Sequence, residues 1–208
     1  MNSITIQWLG HACFKVCKGD YSIVLDPYED GTVPGLEELR VAADEVICSH
    51  EHSDHNAVSC VSLPAERRGS PFTITKLHSF HDESFGKERG KNDIAILETD
   101  GIRIAHMGDM GCIPDEDQLG KLTRLDAIMV PIGGFYTMEP ALVREFIRRT
   151  EPAVVIPMHY RNDNFGFSVI GTLEDFLRSD DCVRYYDSDT VTISEKPEKQ
   201  IAVLKYKP

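Results

Sequence analysis

Long apolar runs are missing from this chain of 208 residues, and so is an export signal. No uninterrupted apolar stretch reaches the roughly 18 residues that a membrane-spanning helix requires. Residues 1–10 combine neither a basic start nor an apolar run, which argues against a signal peptide. From these two absences we predict a cytoplasmic protein that does not bind a membrane.

Positive charge is also scarce, since 22 Lys and Arg residues against 34 Asp and Glu residues leave a formal net charge of −12. Most nucleic-acid affinity comes from neutralising phosphates, so a nucleic-acid partner is not expected. The six cysteines are scattered with no pair at two-residue spacing, which argues against a cysteine-rich zinc knuckle and indicates reduced thiols. A Gly-x-Ser-x-Gly segment, typical of serine hydrolases, is absent as well.

Short strand-like segments dominate the remaining pattern, with helices placed among the later ones. The predicted strands are residues 4–9, 13–16, 21–25, 45–49, 72–80, 94–98, 102–106, 126–130, 154–156, 183–186, 191–194 and 201–206. The predicted helices are residues 36–40, 115–121, 139–149 and 169–178. Sheets with one apolar face must stack on another layer, so this order favours two sheets face to face with helices outside. The length suits one domain spanning residues 1–208.

The strongest functional signal is a His-x-His-x-Asp-His segment at residues 50–55, directly after a predicted buried strand. In an extended backbone His50 and His52 point the same way, because side chains alternate with a period of two. Asp54 and His55 lie beyond them, where a turn can carry both to a neighbouring point. Zinc accepts imidazole and carboxylate ligands, but so short a segment cannot easily place all four around one ion. The segment therefore favours two metal ions.

Three isolated ligand-type residues, His81, Asp109 and His159, each follow a predicted strand. Side chains at strand ends are held rigidly by the sheet while staying accessible. Asp109 would suit a bridge between two cations about 3.5–4 Å apart. Two other histidines are excluded from this set. His78 is expected on the strand face opposite His81, and His106 is expected to pack or to support the site from behind.

These residues occur in the order found in the metallo-β-lactamase superfamily, and the resemblance extends over most of the chain. It rests on Trp-Leu-Gly-His-Ala at 8–12, Leu-Asp-Pro at 25–27, Ser-Phe-His-Asp-Glu at 79–83, Arg-Gly-Lys-Asn at 89–92, Gly-Asp at 108–109, Pro-Ile-Gly-Gly-Phe at 131–135 and Pro-Met-His-Tyr at 157–160. The motifs resemble a subgroup of small bacterial Zn-dependent hydrolases related to L-ascorbate-6-phosphate lactonase and, more distantly, to N-acyl-phosphatidylethanolamine phospholipase D. They specify the superfamily and not the substrate.

The resemblance implies an α/β (α+β) fold, an αββα sandwich of two mixed β-sheets flanked by helices, with the site at one edge. It implies two divalent metal ions, with zinc expected first and manganese, iron or nickel also compatible. The implied ligands of the first ion are His50, His52 and His81. Those of the second ion are Asp54, His55 and His159, and Asp109 would bridge the two.

The resemblance also assigns supporting roles. Asp26 would orient a ligand histidine from behind the site. His11 resembles a position near the mouth of the site, where it would contact the substrate or leaving group, or merely cap a turn. Arg89 and Asn92 are expected to order the loop beside the site, and the alternative is direct contact with the substrate.

The implied reaction is hydrolysis by a metal-bound hydroxide, since two cations lower the pKa of a shared water from 15.7 towards about 7. Asp54 would both bind a metal ion and orient the hydroxide. We expect a small-molecule ester or lactone as the substrate. The sequence leaves the oligomeric state open and allows a homo-oligomer.

Three other functions use the same residues. A nuclease or phosphodiesterase would share the metal centre, but nucleases of this superfamily usually carry an inserted RNA-gripping arm. A di-iron redox enzyme is disfavoured because flavodiiron relatives usually carry Glu at the position of His52. A non-catalytic metal-binding module is disfavoured because structural zinc sites are usually closed and mononuclear.

Overall fold

Two β-sheets packed face to face form the body of the protein in the computed structural model, which describes residues 2–207. The ends of the predicted domain, Met1 and Pro208, lie outside the described residues. In chain order the strands are β1 (Ser3–Gly10), β2 (Cys13–Lys18), β3 (Tyr21–Leu25), β4 (Val41–Ala42), β5 (Glu45–Ile47), β6 (Val61–Ser62), β7 (Thr73–Phe80), β8 (Lys91–Thr99), β9 (Ile102–His106), β10 (Ala127–Pro131), β11 (Val154–Met158), β12 (Val183–Tyr185), β13 (Thr190–Ser194) and β14 (Gln200–Val203). All the predicted strands are present, and β4 and β6 are additional.

The smaller of the two sheets has the strand order β13-β1-β2-β3-β5. Its neighbours pair antiparallel except β3 and β5, which run parallel. In β1 every second side chain is buried, and Ile4, Ile6 and Trp8 point into the space between the sheets. The alternating pattern of residues 4–9 therefore predicted this strand and its inward face.

The larger sheet has the order β12-β14-β11-β10-β9-β8-β7. Its strands run parallel from β12 to β9, and the β8–β9 and β7–β8 pairs are antiparallel. Every residue of β10 and β11 is buried. Near-continuous apolar strands of this kind are typical of a sheet that is covered on both faces. The mixed sheets and few helices confirm the predicted fold class.

Three α-helices lie among the described residues: α1 (Glu116–Lys121), α2 (Pro140–Thr150) and α3 (Leu173–Phe176). In α2, Val143 and Phe146 form the buried stripe. The predicted helix at 169–178 is longer than α3, because the backbone of Gly171 donates to Gly133 and a capping box starts the helix at Thr172. Within residues 2–207, no helix has the length and apolarity needed to cross a membrane.

The predicted helix at 36–40 was wrong. This segment has no regular structure, and its backbone N–H groups bond to distant partners: Leu39 to Asp30 Oδ1 and Glu37 to Tyr206 Oη. Leu39 is buried in a small outer apolar cluster with Cys13 and Val24 of the five-stranded sheet. The outer face of that sheet is therefore covered there by irregular chain.

Candidate metal centre

The predicted ligands meet where strands of both sheets end, at one edge of the sandwich. The five-stranded sheet contributes His11 after β1, Asp26 after β3 and residues 50–55 after β5. The seven-stranded sheet contributes His81 after β7, Asp109 after β9 and His159 after β11. The backbone N–H of His159 donates to the carbonyl of His11 at 3.3 Å, which joins the two sheets at this edge.

Ligand atoms from these residues form two groups that together contain six of the seven predicted ligands, and a third that joins Asp26 to His50 and His55; within each group the atoms lie within 4.8 Å of one another. The first group is His50, His52 and His81. The second group is His11, Asp54, His55 and His159. Asp109 Oδ2 touches both groups, at 3.1 Å from His81 Nε2 and 3.2 Å from His55 Nε2 and His159 Nε2. The structure thus brings all seven predicted ligands together and adds His11.

Buried polar atoms without a partner are concentrated in this cluster. Among the side chains that the structure describes, Thr137 Oγ1 is the single such atom outside it; the others belong to His11, His50, His55, His81, Asp109 and His159. Each unpaired buried group costs about 1–3 kcal/mol, so a protein without metal would be strained here. Bound cations would accept the lone pairs of His50 Nε2, His55 Nε2 and His159 Nε2.

The separations between donor atoms also fit metal ions. Two ligands bound at about 2.0–2.1 Å to one ion lie roughly 3–3.4 Å apart, as Asp109 Oδ2 does from three imidazole nitrogens at 3.1–3.2 Å. Although His55 Nε2 and His159 Nε2 lie this close to Asp109 Oδ2, neither atom has a hydrogen-bond partner among the described residues. The cluster can therefore bind metal ions.

Asp26 supports the cluster from behind. Its buried carboxylate accepts hydrogen bonds from Ser49 N at 2.7 Å and Ser49 Oγ at 2.6 Å, and its Oδ2 lies 2.8 Å from His55 Nδ1. A proton held on Nδ1 by Asp26 leaves the Nε2 lone pair of His55 free to point at the centre. Ser49 Oγ also lies 2.8 Å from His50 Nδ1, so it orients a second ligand. Ser49 was not among the predicted site residues, and its place directly before the ligand segment is the one signal for it.

Asn92 holds the loop that carries Asp109. It is fully buried, its Oδ1 accepts from Asp109 N at 2.9 Å, and its Nδ2 donates to Ser79 Oγ and the Met107 carbonyl, each at 2.9 Å. Gly108 in that loop has φ of 56°, and a Cβ there would overlap Asn92 Oδ1 and Ser49. The loop-ordering role expected of Asn92 thus has a specific form, the placement of Asp109.

Burial and charge set the protonation of the cluster in the absence of metal. Burial, with a contribution from His55, lowers the pKa of His50 to about 3. Burial, with a contribution from His159, lowers the pKa of His11 to about 4. Burial opposes charge on His55 and Asp109, yet attraction to Asp109 raises the pKa of His55, and attraction to His159 and His55 lowers the pKa of Asp109. His11 and His50 are therefore neutral at pH 7 and ready to bind metal, whereas metal competes with a proton at His55.

Three residues of the cluster adopt left-handed backbone conformations: His11 with φ of 50°, Asp26 with φ of 44° and His159 with φ of 53°. Such conformations cost about 1–3 kcal/mol each outside glycine and persist where the surroundings enforce them. In each case the strand has just ended, and the reversal directs the side chain to the shared edge.

The mouth of the site lies beside a loop built around Asp82. Both carboxylate oxygens of Asp82 accept backbone N–H groups, from Ser84, Gly86, Glu88 and Arg89. Arg89 lines two depressions, one of about 300 Å³ next to His81 and one of about 760 Å³ next to His50 and His52. Cavities of this size suit small molecules.

The other histidines lie where predicted, with one exception. His78 is exposed and bonded to Asp93, and His106 is buried with its Nε2 2.8 Å from the Ala12 carbonyl. His11 is 1% exposed and lies against Asp54, its Nε2 3.3 Å from Asp54 Oδ2. It is therefore inside the cluster and not at its mouth.

Comparison with known proteins decides the family. A model of the beta-lactamase superfamily domain matches residues 5–159. The chain belongs to the metallo-β-lactamase superfamily. Among its superfamily relatives, a metal-dependent hydrolase from Methanoculleus marisnigri is 30% identical over 205 residues, which cover 84% of this chain and 87% of the relative. One from Archaeoglobus fulgidus is 28% identical over 191 residues, covering 74% of this chain and 82% of the relative.

A solved structure from Thermotoga maritima, assigned to the Zn-dependent hydrolases of the same superfamily, matches with a TM-score of 0.75 and 29% identity. The match covers 98% of this chain and 100% of that one. This chain is thus a metal-dependent hydrolase, and its cluster of histidines and aspartates is able to bind metal.

Proposed function

We propose that this metal-dependent hydrolase binds two divalent metal ions and cleaves an ester or lactone bond in a small molecule. The observation that carries the proposal is the position of Asp109, whose Oδ2 lies 3.1 Å from His81 Nε2 in one ligand group and 3.2 Å from His55 and His159 in the other. A carboxylate in contact with both groups suits a bridge between two cations about 3.5–4 Å apart. Zinc is the expected ion, and manganese, iron and nickel also accept these donors.

The residues divide the work between binding and orientation. Bound ions would lower the pKa of water and polarise the substrate oxygen. His50, His52 and His81 would hold one ion, and Asp54, His55 and His159 would hold the other. Asp54 can accept a hydrogen bond from the attacking water through the carboxylate oxygen that it does not use for binding. Asp26 keeps the proton of His55 on Nδ1, so that Nε2 remains a ligand.

The substrate class rests on the mouth of the site and on resemblance. Depressions of about 300 and 760 Å³ beside the ligand histidines suit a small molecule. Arg89 borders both and would attract a negatively charged group on the substrate. The motifs at 8–12 and 79–83 resemble hydrolases related to L-ascorbate-6-phosphate lactonase, which favours a lactone or ester. The acidic net charge of −12 favours a small partner over nucleic acid.

The test is metal analysis followed by a substrate panel. We expect protein purified without chelators to contain two equivalents of metal and to hydrolyse a lactone or ester in preference to a phosphodiester. Asp109→Ala and His52→Ala should lose metal and hydrolysis together, whereas the surface variant His78→Ala should keep its metal. One equivalent in the unmodified protein, or full metal content in Asp109→Ala, contradicts the dinuclear centre. Cleavage of phosphodiesters alone would favour the nuclease-type alternative.

A further inference from the structure

His11 is a ligand-type residue of the cluster that has no place in the seven-ligand set and, unlike Asp26, has no orienting role assigned to it. It follows β1, far from the 50–55 segment in sequence, and its side chain is fully buried. Its ring lies 4.0 Å from the ring of His159 and 5.5 Å from that of His55, measured between centroids. It belongs to the same group of mutually close ligand atoms as Asp54, His55 and His159.

Contacts between imidazoles and carboxylates in this cluster differ in length. The contact that orients a ligand, His55 Nδ1 to Asp26 Oδ2, is 2.8 Å, within the usual range of about 2.7–2.9 Å for charge-assisted hydrogen bonds. The contacts among the proposed ligand atoms are longer, at 3.1–3.2 Å around Asp109 Oδ2. His11 Nε2 lies 3.3 Å from Asp54 Oδ2, so its distance matches the second class.

The same donor atoms form a continuous series around one point. His11 Nε2 is followed by Asp54 Oδ2 at 3.3 Å, and Asp54 Oδ2 by His55 Nε2 at 3.6 Å. His55 Nε2 and His159 Nε2 then each lie 3.2 Å from Asp109 Oδ2. Five donors, two oxygens and three nitrogens, therefore converge on the second position.

The surrounding structure holds His11 in its position at a cost in free energy. Its Nδ1 is buried with no hydrogen-bond partner among the residues described, and its backbone is left-handed with φ of 50°. A buried imidazole whose polar atoms are poorly paired loses about 1–3 kcal/mol for each unpaired group. The Trp8 indole and the His159 N–H both donate to the His11 carbonyl, which holds the residue in this place.

We infer that His11 is a fifth protein ligand of the second metal ion, bound through Nε2, an inference that rests on the proposed dinuclear centre. The two positions then differ. The first has His50, His52, His81 and Asp109 as donors, which suits four-coordinate zinc with little room to spare. The second has five protein donors before any water is added. It should therefore prefer ions that accept five or six ligands over ions that favour four in a tetrahedral arrangement.

The competing role for His11 is a hydrogen bond to Asp54, and two substitutions separate the roles. His11→Gln keeps an amide that can donate to Asp54 but is a poor metal ligand, and His11→Ala keeps neither. Each full-length variant is stripped of metal and titrated with Co²⁺, with absorption recorded at each equivalent. His78→Ala, an exposed histidine outside the cluster, controls for the loss of an imidazole.

If His11 is a ligand, both His11 variants should lower the affinity for the second equivalent of Co²⁺ by about 100-fold or more. This is at or beyond the upper end of the 10–100-fold loss usual when a residue that only hydrogen-bonds to a ligand is removed. The visible absorption of that equivalent should change in both variants and stay unchanged in His78→Ala. If His11→Gln matches the unmodified protein in affinity and spectrum, the inference is overturned.

A metal-loaded crystal structure of the unmodified protein covers the case in which the variants do not fold. His11 Nε2 should lie about 2.0–2.2 Å from the second ion. A second ion located roughly 3 Å or more from His11 Nε2 overturns this inference and leaves the proposed function intact, whereas the absence of a second ion overturns both.

Discussion

Asp26→Asn is the substitution that most directly separates metal binding from the rest of the fold. The carboxylate of Asp26 accepts from three donors, Ser49 N, Ser49 Oγ and, by its position, the Nδ1–H of His55. An amide of the same size offers one acceptor oxygen and turns the other position into a donor. In either orientation, a buried N–H of the amide faces a buried N–H of Ser49 or His55.

The magnitude follows from this donor–donor conflict. One unpaired buried donor costs about 1–3 kcal/mol. When the conflict falls on His55, the imidazole escapes it by moving its proton to Nε2, the atom that would bind metal. We therefore expect the affinity for the ion held by His55 to fall by about 10–100-fold, the usual effect of losing a partner behind a ligand histidine.

The assay is a competition titration of metal-free protein against a chelating dye. Asp44→Asn is a matched control, because Asp44 Oδ2 likewise accepts from a serine backbone N–H, Ser22 at 2.8 Å, and lies near the Ser22 hydroxyl, yet contacts no histidine. It should leave both affinities unchanged. Folded Asp26→Asn protein that binds metal within twofold of the unmodified protein would refute the orienting role of Asp26.

Three further substitutions test other parts of the structure. Asn92→Ala leaves Asp109 N and the Met107 carbonyl unpaired, so the metal-free protein should lose about 2–3 kcal/mol of unfolding free energy in a denaturant titration; a loss below about 1 kcal/mol would contradict this. The hydrogen bond from Arg144 lowers the pKa of Asp181. Above the unfolded pKa near 3.9, this pair should therefore stabilise the fold by about 1–2 kcal/mol. The difference in unfolding free energy between the unmodified protein and Asp181→Asn should vanish as the pH falls through the lower pKa of the folded state. A difference that does not shrink at all as the pH is lowered from 7 into the acid range would count against the ion pair. Arg89→Gln should raise KM for a carboxylate-bearing ester about tenfold and leave KM for a neutral ester unchanged, because Arg89 borders both depressions; equal effects on both esters would exclude charge recognition.

The sequence predicted which ligand-type side chains meet in space, because the signal was local and repeated. His81, Asp109 and His159 each follow a strand of the seven-stranded sheet, and residues 50–55 follow a strand of the other sheet, so strand patterns together with the family resemblance were enough. The failed helix at 36–40 is different in kind. Its backbone is held by Asp30 and by Tyr206, and no local pattern announces a partner more than 160 positions away.

His11 illustrates the same limit inside the site. Its contacts are with Asp54 and His159, residues on other elements, and its burial depends on how the two sheets meet. The family resemblance suggested a residue near the mouth of the site. The inward direction comes from the left-handed backbone at φ of 50°, a feature that neither propensity nor spacing predicts for a histidine.

The donors of the centre come from both sheets, so bound metal would act as a cross-link at this edge of the sandwich. The direct backbone links between the sheets there include His159 N to the His11 carbonyl and Asp93 N to the Ser49 carbonyl. Metal at 1,000 times its Kd adds about 4 kcal/mol to the stability of the state that binds it. Chelation should therefore speed amide hydrogen exchange at His159 and Asp109 while the β1–β13 pairing, at the far side of the five-stranded sheet from β5, stays protected. Uniform acceleration across both sheets would mean that metal stabilises the whole fold as one unit, and unchanged exchange at His159 would mean that the two sheets hold this edge without it.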